Sequence, residues 1–204
     1  YGDSSMTGKI KLVHSGGNSV IIAAPDSNPA SDRTLKLPSD GDGTILTSNS
    51  SVGKILQIVQ TVKSDSFTSS SNDADVTGLS VNITPSSSSN KILVMAHVTC
   101  MASNLPSGLK LNGTANGDLL LPSSSDAGSR QKQSGSEAYE SRNDTNTMQS
   151  LVFLDSPNTT NQQTYKVKVV TTGATVKINR TNVDSDSGGY TRGCSTITVM
   201  EVAA

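Results

Sequence analysis

The sequence predicts an all-β protein: a short β-rich segment followed by an antiparallel β-sandwich of jelly-roll type. Three observations carry this. Apolar residues fall in short clusters that alternate with polar ones at period two, as on strands with one buried face. Gly, Pro and Asp-Gly signals separate the clusters at near-regular spacing. No window shows a convincing 3.6-residue period with caps.

The composition agrees with a folded β protein. Of 204 residues, 33% are apolar, 3% are aromatic and none is Trp. Charged residues make up 16%, against about 25% in an ordinary globular chain. A disordered chain is also poor in apolar residues, but it usually carries high net charge; here the net charge is −1. The surface therefore reads as neutral and rich in hydroxyl groups. Such a surface attracts neither nucleic acid nor an anionic membrane. The densest basic group, Arg130 with Lys132, is two charges in a loop. No stretch approaches the roughly 20 apolar residues of a membrane span, so membrane insertion is not expected. The opening "YGDSSMTGK" has no signal-peptide apolar region. It starts on Tyr1 rather than Met, which reads as a cleaved, trimmed or incompletely described chain.

Two domains are expected: residues 1–52, a β-rich neck, and residues 53–204, a sandwich head. In the neck the spacing predicts strands at Lys9–Val13, Ser19–Ala23, Thr34–Leu37 and Thr44–Leu46. In "RTLKLPSDGDGTILT", Leu35 and Leu37 alternate with Thr34 and Lys36, Pro38 ends the ladder, and Asp40-Gly-Asp-Gly turns the chain. A unit of about 50 residues with so few apolar side chains cannot bury a core alone. Copies around a symmetry axis could share one. The expected trimer core is Leu35, Leu37, Ile45 and Leu46.

In the head, strands are expected at Ile55–Val62, Val76–Ile83, Lys91–Cys100, Leu109–Leu111, Asp118–Leu121, Gln149–Leu154, Thr164–Val170, Thr175–Asn179 and Ser195–Val202. Tyr165, Val167 and Val169 should share one face. Ile197, Val199 and Glu201 should do the same at the C-terminus. The segment Ser123–Met148 is too long for a plain connection, and long loops on a rigid scaffold concentrate binding residues. Cys100 and Cys194 read as two buried thiols; the alternative is a strand-to-strand disulfide.

Catalytic patterns fail for want of residues. His14 and His97 are the two histidines, and no Gly-x-Ser-x-Gly elbow accompanies them. His97 and Cys100 lie three apart on one strand and so face opposite ways. Cys-x-x-Cys, His-Glu-x-x-His and phosphate-loop patterns are absent from the sequence. Asp40-Gly-Asp42 and Asp184-Ser-Asp186 resemble the start of a calcium loop, but lack the closing Glu and the helix context. They read as solvated turns. No enzyme activity, cofactor or metal is expected.

"RTLKLPSDGDGTILTSNS" resembles the strand–Pro–Asp/Gly–Thr–Leu–Thr segment found before the C-terminal head of bacteriophage tail fibres. "GKILQIVQTVKSDSFTSSS", "DVTGLSVNITPSSSSNKILVMAHV" and "TYKVKV…INRT…STITVMEVA" are similar to fibre heads of aquatic phages. The resemblance implies a homotrimeric virion fibre, on tail or capsid, with a β-rich neck and a sandwich head. Its partners would be copies of itself, other virion proteins, and a host surface glycan or protein. The receptor contacts expected from loop position and side-chain chemistry are Tyr139, Arg142, Asn143, Tyr190 and Arg192. Two alternatives stay open: a purely structural capsid-decoration or tail-adaptor protein, and a secreted bacterial adhesin or lectin.

Overall fold

The computed structural model describes residues 9–23, 55–103, 107–136 and 144–204. The chain divides into two units, Tyr1–Asn49 and Ser50–Ala204. In the first, β1 (Lys9–Val13) and β2 (Ser19–Ala23) form an antiparallel hairpin. The His14 N–H donates to the Asn18 carbonyl (2.8 Å) and the Gly17 N–H to the His14 carbonyl (2.9 Å). The Nδ1 of His14 accepts from the Gly16 N–H (3.0 Å), so this imidazole serves the turn. Leu12, Val13 and Ile22 are exposed on the hairpin. The strands expected at Thr34–Leu37 and Thr44–Leu46, with Leu35, Leu37, Ile45 and Leu46, lie outside the described residues.

The second unit is a sandwich of two antiparallel sheets. Its elements are β3 (Ile55–Lys63), β4 (Phe67–Ser69), β5 (Asp75–Ile83), β6 (Lys91–Ser103), β7 (Ser107–Gly113) and β8 (Gly117–Leu119). Then come α1 (Ser124–Ala127), β9 (Gly135–Ser136), β10 (Thr147–Asp155), β11 (Gln163–Thr171), β12 (Thr175–Ile178) and β13 (Ser195–Val202). One sheet is built around β6. Its one edge pairs with β10, from Thr147 opposite Cys100 to Asp155 opposite Ile92. Its other edge is shared end to end by β13, opposite residues 91–97, and β12, opposite residues 100–103. Beyond these lie β3, paired with β13, and β4, paired with β12. The second sheet runs β5–β11–β7, with β8 and β9 end to end along the far edge of β7.

The period-two pattern decides which side chains meet between the sheets. Ile92, Val94, Ala96 and Val98 of β6, with Ile197 and Val199 of β13, face Val81 and Ile83 of β5, Tyr165, Val167 and Val169 of β11, and Leu109 and Leu111 of β7; all are buried. Each large side chain so buried stabilises the fold by roughly 1.5–3 kcal/mol. In β5, Val76 and Leu79 both reach the core although three residues apart. Gly78 makes this possible at φ +82°, where the pairing of β5 with β11 changes register.

Several expectations need correction. β4 and β9 were not anticipated; at three and two residues they are too short to show a period. β8 ends at Leu119 rather than Leu121, because Leu120 turns the chain at φ +52°. The stretch expected as a long loop from Ser123 contains α1. Ser123 caps it, its Oγ accepting from the Asp126 N–H (3.2 Å), and Gly128 ends it at φ +56°. Cys100 faces the core, but Cys194 is exposed one residue before β13, and both are thiols rather than a disulfide.

The outer faces of the two sheets differ in kind. On the β5–β11–β7 sheet, Lys110 pairs with Asp73 and Asp118 (2.6 Å each), Lys168 with Asp73 (2.8 Å) and Lys166 with Asp75 (2.8 Å). Hydrogen bonds from Lys110 and then Lys168 hold the Asp73 carboxyl below its ordinary range. On the β6 sheet the outer face is mostly apolar, with Ile58, Val152 and Leu154 exposed.

Candidate functional site

The loop of residues 180–193 leaves the sandwich where β12 stops and β13 begins, and both its feet are pinned. Asn179 takes φ +60°, a left-handed conformation that Asn tolerates better than most residues. It is buried, and every polar group of its amide is used. The Nδ2 donates to the carbonyls of Lys63 (2.8 Å) and Asp65 (3.0 Å), and the Oδ1 accepts from Ser195 Oγ (2.6 Å). Its own N–H donates to the Thr99 carbonyl (2.9 Å), and its carbonyl accepts from the Gly193 N–H (3.1 Å). Ser195 Oγ accepts in turn from the Thr99 N–H (3.1 Å). These bonds bridge the break between β12 and β13 and the matching break between β3 and β4. At Gly193 an added Cβ would lie 2.8 Å from Thr99 Cγ2, so only Gly lets the returning chain pass this close.

Above this base Arg180 and Arg192 stand opposite one another. Both guanidinium groups reach the Asp184 carboxylate, Arg192 Nη2 at 2.7 Å and Arg180 Nη1 at 3.3 Å. Arg180 also donates from Nε to the Thr181 carbonyl (3.1 Å) and from Nη2 to the Asn182 carbonyl (3.0 Å). Thr191 Oγ1 accepts from Asn146 Nδ2 (3.1 Å), which ties the loop to the segment preceding β10. Arg180, Asp184 and Arg192 thus clamp the loop at its neck. Its tip encloses a cleft of about 250 Å³, lined by Asp184, Ser185, Asp186, Ser187, Tyr190, Thr191 and Arg192. Tyr190 is half-buried, and Arg192 retains 58% side-chain exposure.

Chemically the cleft offers a phenol ring, a guanidinium edge, a carboxylate and several hydroxyl groups. Such a set can stack on and hydrogen-bond a polar ligand. The tip contains no His or Cys to act as base or nucleophile. Asp184 is exposed, as a solvated acidic turn requires, and two guanidinium groups pair with its carboxylate. Among the described residues no group of three or more His, Cys, Asp or Glu is placed to hold a metal.

Of the five expected contact residues, Tyr190 and Arg192 come together on this cleft. Tyr139, Arg142 and Asn143 fall in residues 137–143, outside those described. The sequence reading missed Arg180 and Asp184. The signal was present: two Arg flank an Asp-Ser-Asp-Ser-Gly-Gly stretch, a spacing that lets both reach one carboxylate. It also missed the Asn179–Ser195 base, for which no pattern exists, since Asn179 follows the end of β12 and Ser195 begins β13.

Fold and site together define a β-sandwich carrying one clamped polar loop. No family model matches the chain, and no curated protein matches it. Among solved structures it is similar to infectious bursal disease virus, Gx strain, at 11% identity and a TM-score of 0.36, covering 98% of this chain and 52% of that one. It is also similar to the D431N mutant VP2 protein of that virus in T=1 particles, at 14% identity and a TM-score of 0.32, covering 99% and 49%. A third is the Gt strain, at 10% identity and a TM-score of 0.29, covering 90% and 46%. The chain spans about half the length of the structures it matches. At such TM-scores a likeness defines neither a shared fold nor a shared activity.

Proposed function

We propose that the chain is a non-enzymatic virion fibre protein, homotrimeric through residues 1–52, that attaches to the host cell surface through loops of its sandwich head. The observation that carries the attachment reading is the Arg180–Asp184–Arg192 clamp. It presents Tyr190, Asp186 and several hydroxyl groups on a loop whose feet are fixed to the sandwich. Loops held by a rigid scaffold are where β proteins place recognition. Tyr190 supplies a ring face, and Arg192 a planar donor edge for a glycan or a peptide group. Repetition in three subunits multiplies weak contacts by avidity without new chemistry. The virion assignment is supported by the quoted tail-fibre resemblance. The self-association is supported by Leu12, Val13 and Ile22, which stand exposed on the hairpin.

The test has two arms. An antibody to the head, viewed on intact particles by electron microscopy, is expected to mark an appendage; labelling confined to a capsid shell or to bacterial cells would overturn the fibre assignment. Fluorescently tagged protein is then titrated on a panel of bacterial cells and on a glycan array. Binding is expected to fall at least tenfold in Tyr190→Ala and Arg192→Ala at unchanged melting temperature. Equal binding by parent and variants would remove this loop from recognition. Release of reducing sugar from host polysaccharide above a heat-killed control would overturn the non-enzymatic reading.

A purely structural role, as capsid decoration or tail adaptor, is the second reading. It is favoured by one observation, the apolar outer face of the β6 sheet, which suits burial against another protein.

A further inference from the structure

Strand β8 at the edge of one sheet and β10 at the edge of the other flank an open groove of about 590 Å³. That volume falls within the roughly 300–1,000 Å³ of ligand-binding clefts. Its apolar lining includes Leu120, Leu121, Phe153 and Leu154. Leu120 is 41% exposed and Leu154 46%. Leu120 holds its place at φ +52°, a left-handed conformation that leucine rarely adopts. Strain of this kind gathers where a ligand is clamped.

The charged residues of the groove are both acidic, Asp118 and Asp155. Asp118 is matched by Lys110 at 2.6 Å. Asp155 is 2% exposed, and no Lys, Arg or His among the described residues pairs with it. Its carboxylate accepts from the Tyr165 hydroxyl (2.7 Å) and from Asn116 Nδ2 (2.7 Å), both neutral donors. A carboxylate has about four lone-pair sites. Glu201, the other buried carboxylate among the described residues, accepts four hydrogen bonds. Asp155 accepts two, so acceptor capacity is left over at a residue that lines the groove. Beside it runs a free strand edge. Among the described residues β10 pairs with β6 alone, over nine residues and without a register shift. Its sequence TMQSLVFLD has neither Lys nor Pro, two of the devices that blunt an edge.

We infer that this groove takes a lysine side chain, carried on an extended segment of a partner polypeptide that adds as a strand along β10. Charge selects the occupant: a buried carboxylate with no cation of its own is matched by a cation. The side chain of lysine fits both parts of the groove. Its methylene stem covers apolar surface while the ammonium brings three donors. A guanidinium would need two parallel acceptor positions, and each Asp155 oxygen is already engaged once. Main-chain hydrogen bonds along the edge supply the remaining affinity, as in other strand additions. This docking does not rest on the cleft at residues 184–192.

The experiment uses the full chain and the labelled peptide acetyl-Ser-Thr-Val-Lys-Val-Thr-Ser-amide. Fluorescence anisotropy reads affinity, and hydrogen exchange with mass spectrometry reads location. The peptide is expected to bind and to slow exchange at residues 152–155 at least fivefold. Norleucine in place of the peptide's lysine should weaken binding at least tenfold, and glutamate should abolish it. In Asp155→Asn the lysine and norleucine peptides should bind within twofold of one another. Leu120→Gly keeps the left-handed backbone but removes a wall, and should weaken binding at least fivefold with no fall in melting temperature. If Asp155→Asn does not fold, Leu120→Gly and the lysine–norleucine comparison on the parent decide the matter. No binding at millimolar peptide, equal binding of the lysine and norleucine peptides, or no protection of residues 152–155 would overturn the inference. Displacement of the peptide by an equal concentration of n-butylammonium would also overturn it, since the groove would then be a site for free amines. Loss of binding in Tyr190→Ala would place the peptide on the other cleft, with the same consequence.

Discussion

Ser195 Oγ donates to Asn179 Oδ1 across 2.6 Å, at the one place where the β6 sheet changes strands along a single edge. In the gap that the pair closes, Asn179 Nδ2 donates to the carbonyls of Lys63 and Asp65. Replacing Asn179 separates two effects. Asn179→Gly keeps the left-handed backbone but removes the amide, and is expected to destabilise the head by about 1–3 kcal/mol. Asn179→Ala adds the left-handed strain, about 1–2 kcal/mol more. Urea denaturation of the two variants beside the parent checks both numbers. Equal stability of all three would show that the break in the sheet needs no lock.

Glu201 is fully buried, and its carboxylate accepts four hydrogen bonds. The donors are Gln57 Nε2 (2.5 Å), the Ser86 N–H (2.6 Å), Ser86 Oγ (2.7 Å) and Asn90 Nδ2 (2.6 Å). Burial pushes its pKa up, but the donors from Asn90, Gln57 and Ser86 outweigh burial and hold it below the ordinary value of 4.5. A carboxyl with a depressed folded pKa contributes stability that is present above the unfolded value. That stability is lost as pH falls through the folded one. The head is therefore expected to lose stability as pH drops below about 4.5. Glu201→Gln has one acceptor oxygen for four donors and should cost about 2–4 kcal/mol at neutral pH, while flattening the acid limb. An acid limb of unchanged slope in the variant would assign the pH dependence to other groups.

The clamp at Asp184 is exposed, so it should matter for loop order and little for global stability. Asp184→Asn is expected to change unfolding free energy by less than about 1 kcal/mol. Hydrogen exchange at the Tyr190 N–H, which donates to the Ser187 carbonyl at 3.1 Å, should quicken at least fivefold. Unchanged exchange would mean that the two guanidinium groups do not organise the tip.

In the neck, Leu37→Asp is expected to turn a trimer into monomers or aggregates. It would place an unpaired charge near the axis in every subunit, at several kcal/mol per ion. Thr34→Asp, expected from the alternation of Thr34 with Leu35 and Leu37 to lie away from that core, should do little. Light scattering of both variants decides it. A Leu37→Asp chain that remains a trimer of unchanged melting temperature would exclude a shared core at these leucines.

Strand existence in the head was legible because the strands turn alternate side chains to the core, as in β5 and β10, and the apolar alternation records that directly. Thr164–Val170 and Ser195–Val202 could be read from the text for this reason, and so could the inward set Ile197, Val199 and Glu201. The short strands β4 and β9 and the end of β8 at Leu119 were decided by pairing partners and by the backbone at Leu120, which leave no period in the sequence. Tyr190 and Arg192 could be named as candidates from their chemistry alone. That they share a cleft, and that Asp184 joins Arg180 to Arg192, depended on how the chain folds back between β12 and β13. The most consequential tertiary decision concerns the β6 sheet. Alternation marks Ile58, Leu93, Met200 and Leu154 as lying on the face away from the core, but says nothing of whether that face meets water. Only the register of four strands sets these side chains in one row, because residues far apart in sequence become neighbours solely through hydrogen bonds between strands.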